Sequence, residues 1–347
     1  MKTGKTRMKA WSNTNQHHSR IDIKNIAICM YGQYRTGDAC LEYIKRFYDI
    51  PGVNVDYFCS LKPYETTYTR HKYNKENNKD LMEQDTLNKD TIDHQVNQIK
   101  KHYNPKQFKI YSLKKENQLK DIEGSIMHSK VLAAWVDSIM LKQKHEAKHN
   151  ITYDMVIMQR YDTIIWPSVA FNNIFHRLQG LDVSHRGTLA TGDKNLLFFQ
   201  PIEFVRKYNG TFGYPNGQDL WAIGMGNALD VWAYDALEHI PSMHQSNYSP
   251  RQFRSGFPHI DTHEMLASIT KKMNIPYSMF PVLAKDGSVA FPLENAKPGI
   301  FYQMIAPMVI RESYWEEGKI PNIAELSDNQ LEKLYDDVMV VKWERGD

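Results

Sequence analysis

The sequence predicts an α/β fold with a mixed, mainly parallel sheet flanked by helices. Asn25-Ile-Ala-Ile-Cys-Met30 and Val53-Asn-Val-Asp-Tyr-Phe-Cys-Ser60 are short apolar runs of strand length. Between them, a segment over 38–49 places Leu41, Ile44, Phe47 and Tyr48 on one helical side. Strand, loop, helix, strand is the order that carries a chain back into a parallel sheet. A third apolar run, Tyr153-Asp-Met-Val-Ile-Met-Gln-Arg160-Tyr-Asp162, reads as a buried strand ending abruptly in two charges.

The elements follow in order. Residues 1–24 read as a polar, basic, mobile arm, with Lys2, Lys5, Arg7, Lys9 and Arg20 ahead of the first acid, Asp22. The first strand runs into the turn Tyr31-Gly32-Gln33-Tyr34-Arg35-Thr36-Gly37-Asp38, which is rich in hydrogen-bond donors. Pro51-Gly52 breaks the helix before the second strand. Residues 62–107 turn polar and read as an insertion, partly helical near 79–102. Phe108–Ser112 is a short third strand, a long helix spans 123–148, and Trp166-Pro167 closes the strand with the charged end.

Beyond residue 170 the pattern loosens. Strand-like pieces at 187–191 and 195–199 flank Gly192-Asp193, a hairpin turn. Phe212–Gly217 has loop chemistry, Gln218-Asp219 precedes apolar Leu220-Trp221, and a helix is expected over 227–239. Asp261-Thr262-His263-Glu264 leads a helix to about 273, and Ile275–Phe280 is a last strand. One domain is expected over 25–282, with a C-terminal extension over 283–347 holding a helix near 325–338 opened by Ser327 or Asp328.

The totals are those of a globular chain. Its 347 residues are 41% hydrophobic and 24% charged, enough to bury a core. A net charge of +3 does not by itself call for a nucleic-acid partner. A second basic stretch, Lys100, Lys101, Lys106, Lys109, Lys114, Lys115 and Lys120, either faces a polyanion or is a solvated helix face. The three cysteines, Cys29, Cys40 and Cys59, have no paired spacing, which fits a reducing compartment and offers no zinc site. No apolar run is long enough to span a bilayer, and the N-terminus is not signal-like. A cytoplasmic protein without a membrane span is expected, in the host cytoplasm if the chain is viral.

Four constellations carry chemistry. In the first turn, Gly32 lets a ligand approach the backbone, Arg35 offers a planar cationic fork for a diphosphate, and Tyr31 or Tyr34 offers a ring to stack on a base. The competing reading is a tight βα turn with Asp38 near the helix start. In extended geometry Arg160 and Asp162 point the same way, at the strand end where α/β sheets bind ligands. There a carboxylate suits Mg²⁺ or Mn²⁺ and an arginine suits phosphate oxygens; alternatively the two pair with each other. Asp219 is either a base for an acceptor hydroxyl or a helix cap. His259, Asp261 and His263 alternate along one face, as metal ligands would, while Asp261 to Glu264 also reads as a capping box. No Walker pattern, GxGxxG, Gly-x-Ser-x-Gly elbow or kinase signature is present.

Taken together, these residues resemble the nucleotide-sugar glycosyltransferases of the GT-A type. The similarity is to a viral and bacterial group whose first strand ends in Gly-Gln-x-Arg, here Gly32-Gln33-Tyr34-Arg35. The group's apolar strand ending in Arg-x-Asp is matched by Arg160-Tyr161-Asp162. Its Gln-Asp element before aromatic residues is matched by Gln218-Asp219-Leu220-Trp221. A later helix beginning with an acid is matched near Glu264. The resemblance covers about residues 25–282 and implies a Rossmann-like GT-A sheet. It also implies a UDP-sugar or other nucleotide-sugar donor, Mn²⁺ or Mg²⁺ at Asp162, with His259 as a further ligand, and transfer to a hydroxyl. It departs from the usual Asp-x-Asp metal motif at its first position, which is Arg160. Asp219 and Glu264 are then the candidate catalytic carboxylates. Tyr31, Gly32, Gln33, Tyr34, Arg35, Arg160 and Asp162 are the candidate donor contacts. The acceptor is a glycan or, given the basic stretches, a hydroxylated base in phage DNA. The rival functions are a metal-dependent hydrolase or nuclease centred on His259, Asp261 and His263, and a non-catalytic nucleotide- or glycan-binding module.

Overall fold

The computed structural model describes residues 22–74, 79–111, 126–166, 175, 198–200, 202–203, 216–217, 220–233, 277–279, 282–283, 289–290, 303–304, 306–310, 319–331 and 333–334. The chain opens with β1 (Asn25–Gln33), α1 (Gly37–Phe47) and β2 (Asn54–Lys62), as the apolar runs predict. β3 (Tyr64–Asn74) and β4 (Lys79–Thr86) form an antiparallel pair with a bulge between Tyr68 and Tyr73. The expectation of helix from about 79 is therefore corrected. Thr66, Thr67, Tyr68 and Tyr73 make β3 a strong strand former, and Lys79–Thr86 pairs with it against its own modest helical preference. The helix of the insertion, α2 (Lys89–Tyr103), begins where the Asn88 side chain accepts from the Thr91 amide at 2.8 Å. Asn104 ends it in a left-handed conformation.

β5 (Gln107–Ile110), α3 (Ile126–His149), β6 (Met155–Arg160) and β7 (Thr163–Trp166) follow. Then come β8 (Phe198–Gln200), the small β9 (Ile202–Glu203) and β10 (Asn216–Gly217) pair, and β11 (Trp221–Met225). β12 (Tyr277–Met279) lies within the expected last strand. β13 (Val282–Leu283), β14 (Val289–Ala290) and β15 (Gln303–Met304) make a separate small sheet, and β16 (Ala306–Val309) returns to pair with β7.

Among the described residues, the main sheet has seven strands in the order β12-β8-β11-β6-β1-β2-β5. β5, β2, β1 and β6 run parallel. β11 is antiparallel to β6 and to β8, and β12 is parallel to β8. A mainly parallel α/β sheet flanked by helices is thus what the chain forms. β1 is followed by β2 on one side and, later, by β6 on the other. The direction of winding therefore reverses between β1 and β6, which is where sheets of this kind open a crevice at the carboxyl ends of their strands.

Alternation along β1 separates two cores. Ile26, Ile28 and Met30 pack with Leu41, Tyr43 and Ile44 of α1 and with Ile99 and Tyr103 of α2. Ala27, Cys29 and Tyr31 pack on the other face with Ala134, Trp135 and Ile139 of α3 and with Leu229 and Trp232. Both faces are covered, so β1 and β6 read as continuous apolar runs rather than alternating ones. Lys142 of α3, itself buried, bridges Glu146 and Asp230 at 2.7 Å each, tying α3 to the helical turn at 228–233. Cys29, Cys40 and Cys59 are buried thiols whose pKa values burial raises, as core residues require.

Several described residues beyond 282 pack into this core. Met308, Ile310, Ile323 and Leu331 belong to the same core as β1 and α1. A short 3-10 turn, Ile323–Glu325, lies against α1. The next helix opens at Ser327, whose amide and hydroxyl both donate to Gln330 Oε1 at 2.8 Å, a capping box from one of the two residues expected.

Candidate functional site

The carboxyl ends of β1 and β6 bring two stretches of sequence together. β1 extends to Gln33, into the expected turn, and near its end Gly32 has φ +98°, where an added Cβ would meet open space. Arg35 holds φ +45°, a left-handed conformation that a non-glycine residue adopts at a cost. After β6 the chain turns at Tyr161-Asp162 and leaves as β7.

Asp162 is the hub. Arg160 Nε donates to its Oδ1 at 2.9 Å and Arg160 Nη2 to its Oδ2 at 2.7 Å, a bidentate pair. Arg35 Nη1 donates to the same Oδ2 at 3.2 Å. The Asp162 side chain is 0% exposed, whereas those of Arg35 and Arg160 are 21% and 16% exposed. Burial opposes its ionisation, but the charges and hydrogen bonds of Arg160 and Arg35 outweigh that and hold its carboxyl below the ordinary value. Arg160 ends β6 and Asp162 lies in the turn that follows, so they meet through the turn rather than by strand alternation, and of the two expectations it is the pairing of Arg160 with Asp162 that the structure contains. The outcome is a buried ion pair that recruits a second arginine.

Two scaffolds fix this turn. Gln159, 1% exposed, donates through Nε2 to the carbonyls of Arg160 at 2.8 Å and Thr163 at 2.6 Å. Its Oε1 accepts from the Tyr48 hydroxyl at 2.8 Å, which in turn accepts from Trp221 Nε1 at 2.8 Å. The second scaffold is Ile310. Its amide donates to the Asp162 carbonyl at 2.8 Å, and its carbonyl accepts from Thr36 Oγ1 at 2.6 Å. Thr36 stands at the N-cap of α1 but makes no capping bond, because its hydroxyl is turned to Ile310.

The tyrosines proposed as stacking platforms are corrected. Tyr31 is 2% exposed and packs edge-on against Trp135 at 5.6 Å between centroids. Tyr34 is 1% exposed, lies 5.8 Å from the Tyr161 ring and donates its hydroxyl to Asp38 at 2.7 Å. Neither ring offers a face to a ligand. Their apolar bodies fill opposite sides of the sheet, and the burial that satisfies the core removes them from the cleft. Gly32, Gln33 and Arg35 remain partly exposed at the strand end. Asp38, the other carboxylate of the turn, also faces His94 Nε2 at 3.0 Å.

Lys62 joins the site from β2. It closes β2 in register with Gln33 and is 6% exposed, with Nζ 5.3 Å and 5.4 Å from the ring centroids of Tyr64 and Tyr111. A lysine ending an apolar strand beside the Gly32 turn is a signal that the sequence did contain. Gln159, a lone amide in an apolar run, is another. Ile310 left no signal, because an isoleucine 274 residues from Thr36 looks like any other core residue.

Asp219, Glu264, His259, Asp261 and His263 lie outside the described residues, as does the 187–191 half of the expected hairpin. Among the described residues no group of three His, Cys, Asp or Glu side chains is placed to hold a metal ion. Asp162, expected as the Mn²⁺ or Mg²⁺ ligand, directs both carboxylate oxygens to guanidinium N–H groups. The described donor set therefore does not fit a divalent cation. Of the second basic stretch, Lys106 faces Asp56 at 3.4 Å and Lys109 faces Asp137 at 2.6 Å, so neither stands as an unopposed charge for a polyanion. No helix among the described residues is long and apolar enough to cross a membrane.

A scan against family models finds no match, and no curated protein matches the sequence. Among solved structures, the nucleoside-diphosphate-sugar pyrophosphorylase from Vibrio cholerae RC9 aligns over 74% of this chain and 91% of its own. The identity is 9% and the TM-score 0.22, a likeness too loose to carry function.

Proposed function

We propose that the chain is a glycosyltransferase that moves a sugar from a nucleoside-diphosphate sugar, with UDP-sugar the first donor to try, to an acceptor hydroxyl. One observation carries this reading. Two arginines from separate segments converge on one buried carboxylate at the point where the sheet reverses its winding. Planar guanidinium forks suit diphosphate oxygens, and Gly32 leaves open space for a close approach of the backbone.

In this reaction the acceptor hydroxyl attacks the anomeric carbon and the bond from that carbon to the diphosphate oxygen breaks. The leaving nucleoside diphosphate carries the electron pair away, and cationic donors held in place before the reaction lower the energy of its developing charge. Arg35 and Arg160 supply those donors. The acceptor proton goes to a carboxylate, for which Asp219 and Glu264 remain the candidates in an inverting reaction. The acceptor is a hydroxyl of a glycan or of a hydroxylated base in DNA, and Lys106 and Lys109, matched by carboxylates, add no unopposed charge toward the second.

Titration calorimetry with UDP, followed by ADP, GDP and CDP, tests the reading. Saturable binding of at least one, with hydrolysis or transfer of its sugar, is expected. No binding of any nucleoside diphosphate, with or without Mn²⁺, overturns it. Binding without hydrolysis or transfer would assign the chain to the non-catalytic module instead.

A further inference from the structure

Resting on that reading, we infer that Arg35 and Arg160 hold the donor diphosphate without a divalent cation, and that Asp162 is the positioning residue that orients them. In the usual two-aspartate arrangement, carboxylate oxygens hold a cation, which then holds phosphate. Here the first of those positions is Arg160, and it covers the second residue, Asp162, with two N–H groups. Arg35 Nη1 adds a third donor to the same carboxylate.

A cation entering this site would have to break a bidentate pair whose aspartate is 0% exposed. It would also meet two guanidinium charges. Both effects oppose its binding. An anion meets the reverse conditions. Both guanidinium side chains are partly exposed, and their geometry is fixed before the ligand arrives. Fixing comes from Asp162 itself, from Gln159 beneath the turn, and from Ile310, which joins Thr36 beside Arg35 to the Asp162 backbone. Preorganisation of this kind saves the ordering cost that two long side chains otherwise incur on binding.

The experiment is nucleoside-diphosphate binding in EDTA and again in Mn²⁺, using the diphosphate that binds wild type best, with its monophosphate as control. Wild type is expected to bind with affinities within about threefold in the two buffers, and to prefer the diphosphate. Arg160→Lys keeps a charge beside Asp162 but loses the planar fork. It is expected to remain folded with a lowered melting temperature, because one bond to the buried carboxylate is lost, and to bind about tenfold or more weakly in both buffers. Arg35→Lys is the second variant, should Arg160→Lys fold poorly. Asp162→Asn should change affinity by the same factor in EDTA and in Mn²⁺, whereas a metal ligand would lose only the Mn²⁺-dependent part. Binding that needs Mn²⁺, or lysine variants that bind normally, overturns the inference and leaves the glycosyltransferase reading standing. Failure of every nucleoside diphosphate in both buffers removes that reading, and this inference with it.

Discussion

The amide of Ile310 donates to the carbonyl of Asp162 at 2.8 Å, across almost half the sequence. Through its own carbonyl, Ile310 also holds Thr36, the residue after Arg35. The two arginine-bearing turns are thus joined twice, once by the Asp162 carboxylate and once by a backbone clasp.

Removing the carboxylate should cost stability as well as activity. Asp162→Ala leaves two arginines beside a buried site with their shared anion gone. Breaking a buried pair in this way costs about 3–5 kcal/mol. Chemical denaturation should show a clear fall in midpoint; a loss below about 1 kcal/mol would mean that the pair is solvated.

The pH dependence has a definite sign. Asp162 has a folded value below its ordinary 3.8, so its stabilisation is present above 3.8 and disappears as pH falls through the lower folded value. The stability gap between wild type and Asp162→Asn should stay level from neutral pH down to roughly 5 and close at lower pH. Denaturation midpoints across an acid series measure it, and a gap that widens on acidification would contradict the ion triad.

The clasp can be tested by Thr36→Val, which preserves shape and removes the hydroxyl that donates to Ile310. Leaving that carbonyl without this donor should cost about 1–3 kcal/mol. Nucleotide affinity should fall as well, because Arg35 is the neighbouring residue. A variant as stable as wild type would show that the Thr36 bond is replaceable by water.

Tyr48→Phe removes the hydroxyl that receives from Trp221 and donates to Gln159. A loss of about 1–3 kcal/mol is expected from this buried relay. A double-mutant cycle with Gln159→Leu should show strong coupling, and additive losses would mean that the two side chains act separately.

Gly32→Ala tests the backbone rather than packing. A Cβ there meets nothing within 4 Å, so the cost comes from φ +98° alone, about 1–3 kcal/mol. Gly37→Ala is the contrast, since its Cβ would come within 2.8 Å of the Tyr34 ring. Equal effects from crowding at both sites would refute the open space beside Gly32.

Local pattern was enough to read β1, β2, β6, α1 and α3, because each is a run of apolar residues with its own period. It failed at β4, where pairing with β3 overrides a weak preference. It also left β11 unassigned, because a five-residue apolar run has no local mark of antiparallel pairing even with the Gly226-Asn227 turn behind it. At the site, the pairing of Arg160 with Asp162 was legible as one of two readings, although Asp162 lies in the turn after β6 and not in extended strand. The burial of Asp162 was not, since the chain around 310 contributes to it. The rings of Tyr31 and Tyr34 illustrate the same limit: an aromatic residue in a turn does not reveal whether the core or the cleft receives it.

The position of the clasp in the chain also bears on synthesis. A polypeptide leaving the ribosome has β1, β2 and β6 in hand long before residue 310 appears. Until then the arginines have their carboxylate but lack the thread that locks the turns together. Two fragments divided shortly before Ala306 should therefore be inactive alone and regain nucleotide binding when mixed, which makes this boundary a natural place to engineer a conditional, two-piece version of the protein.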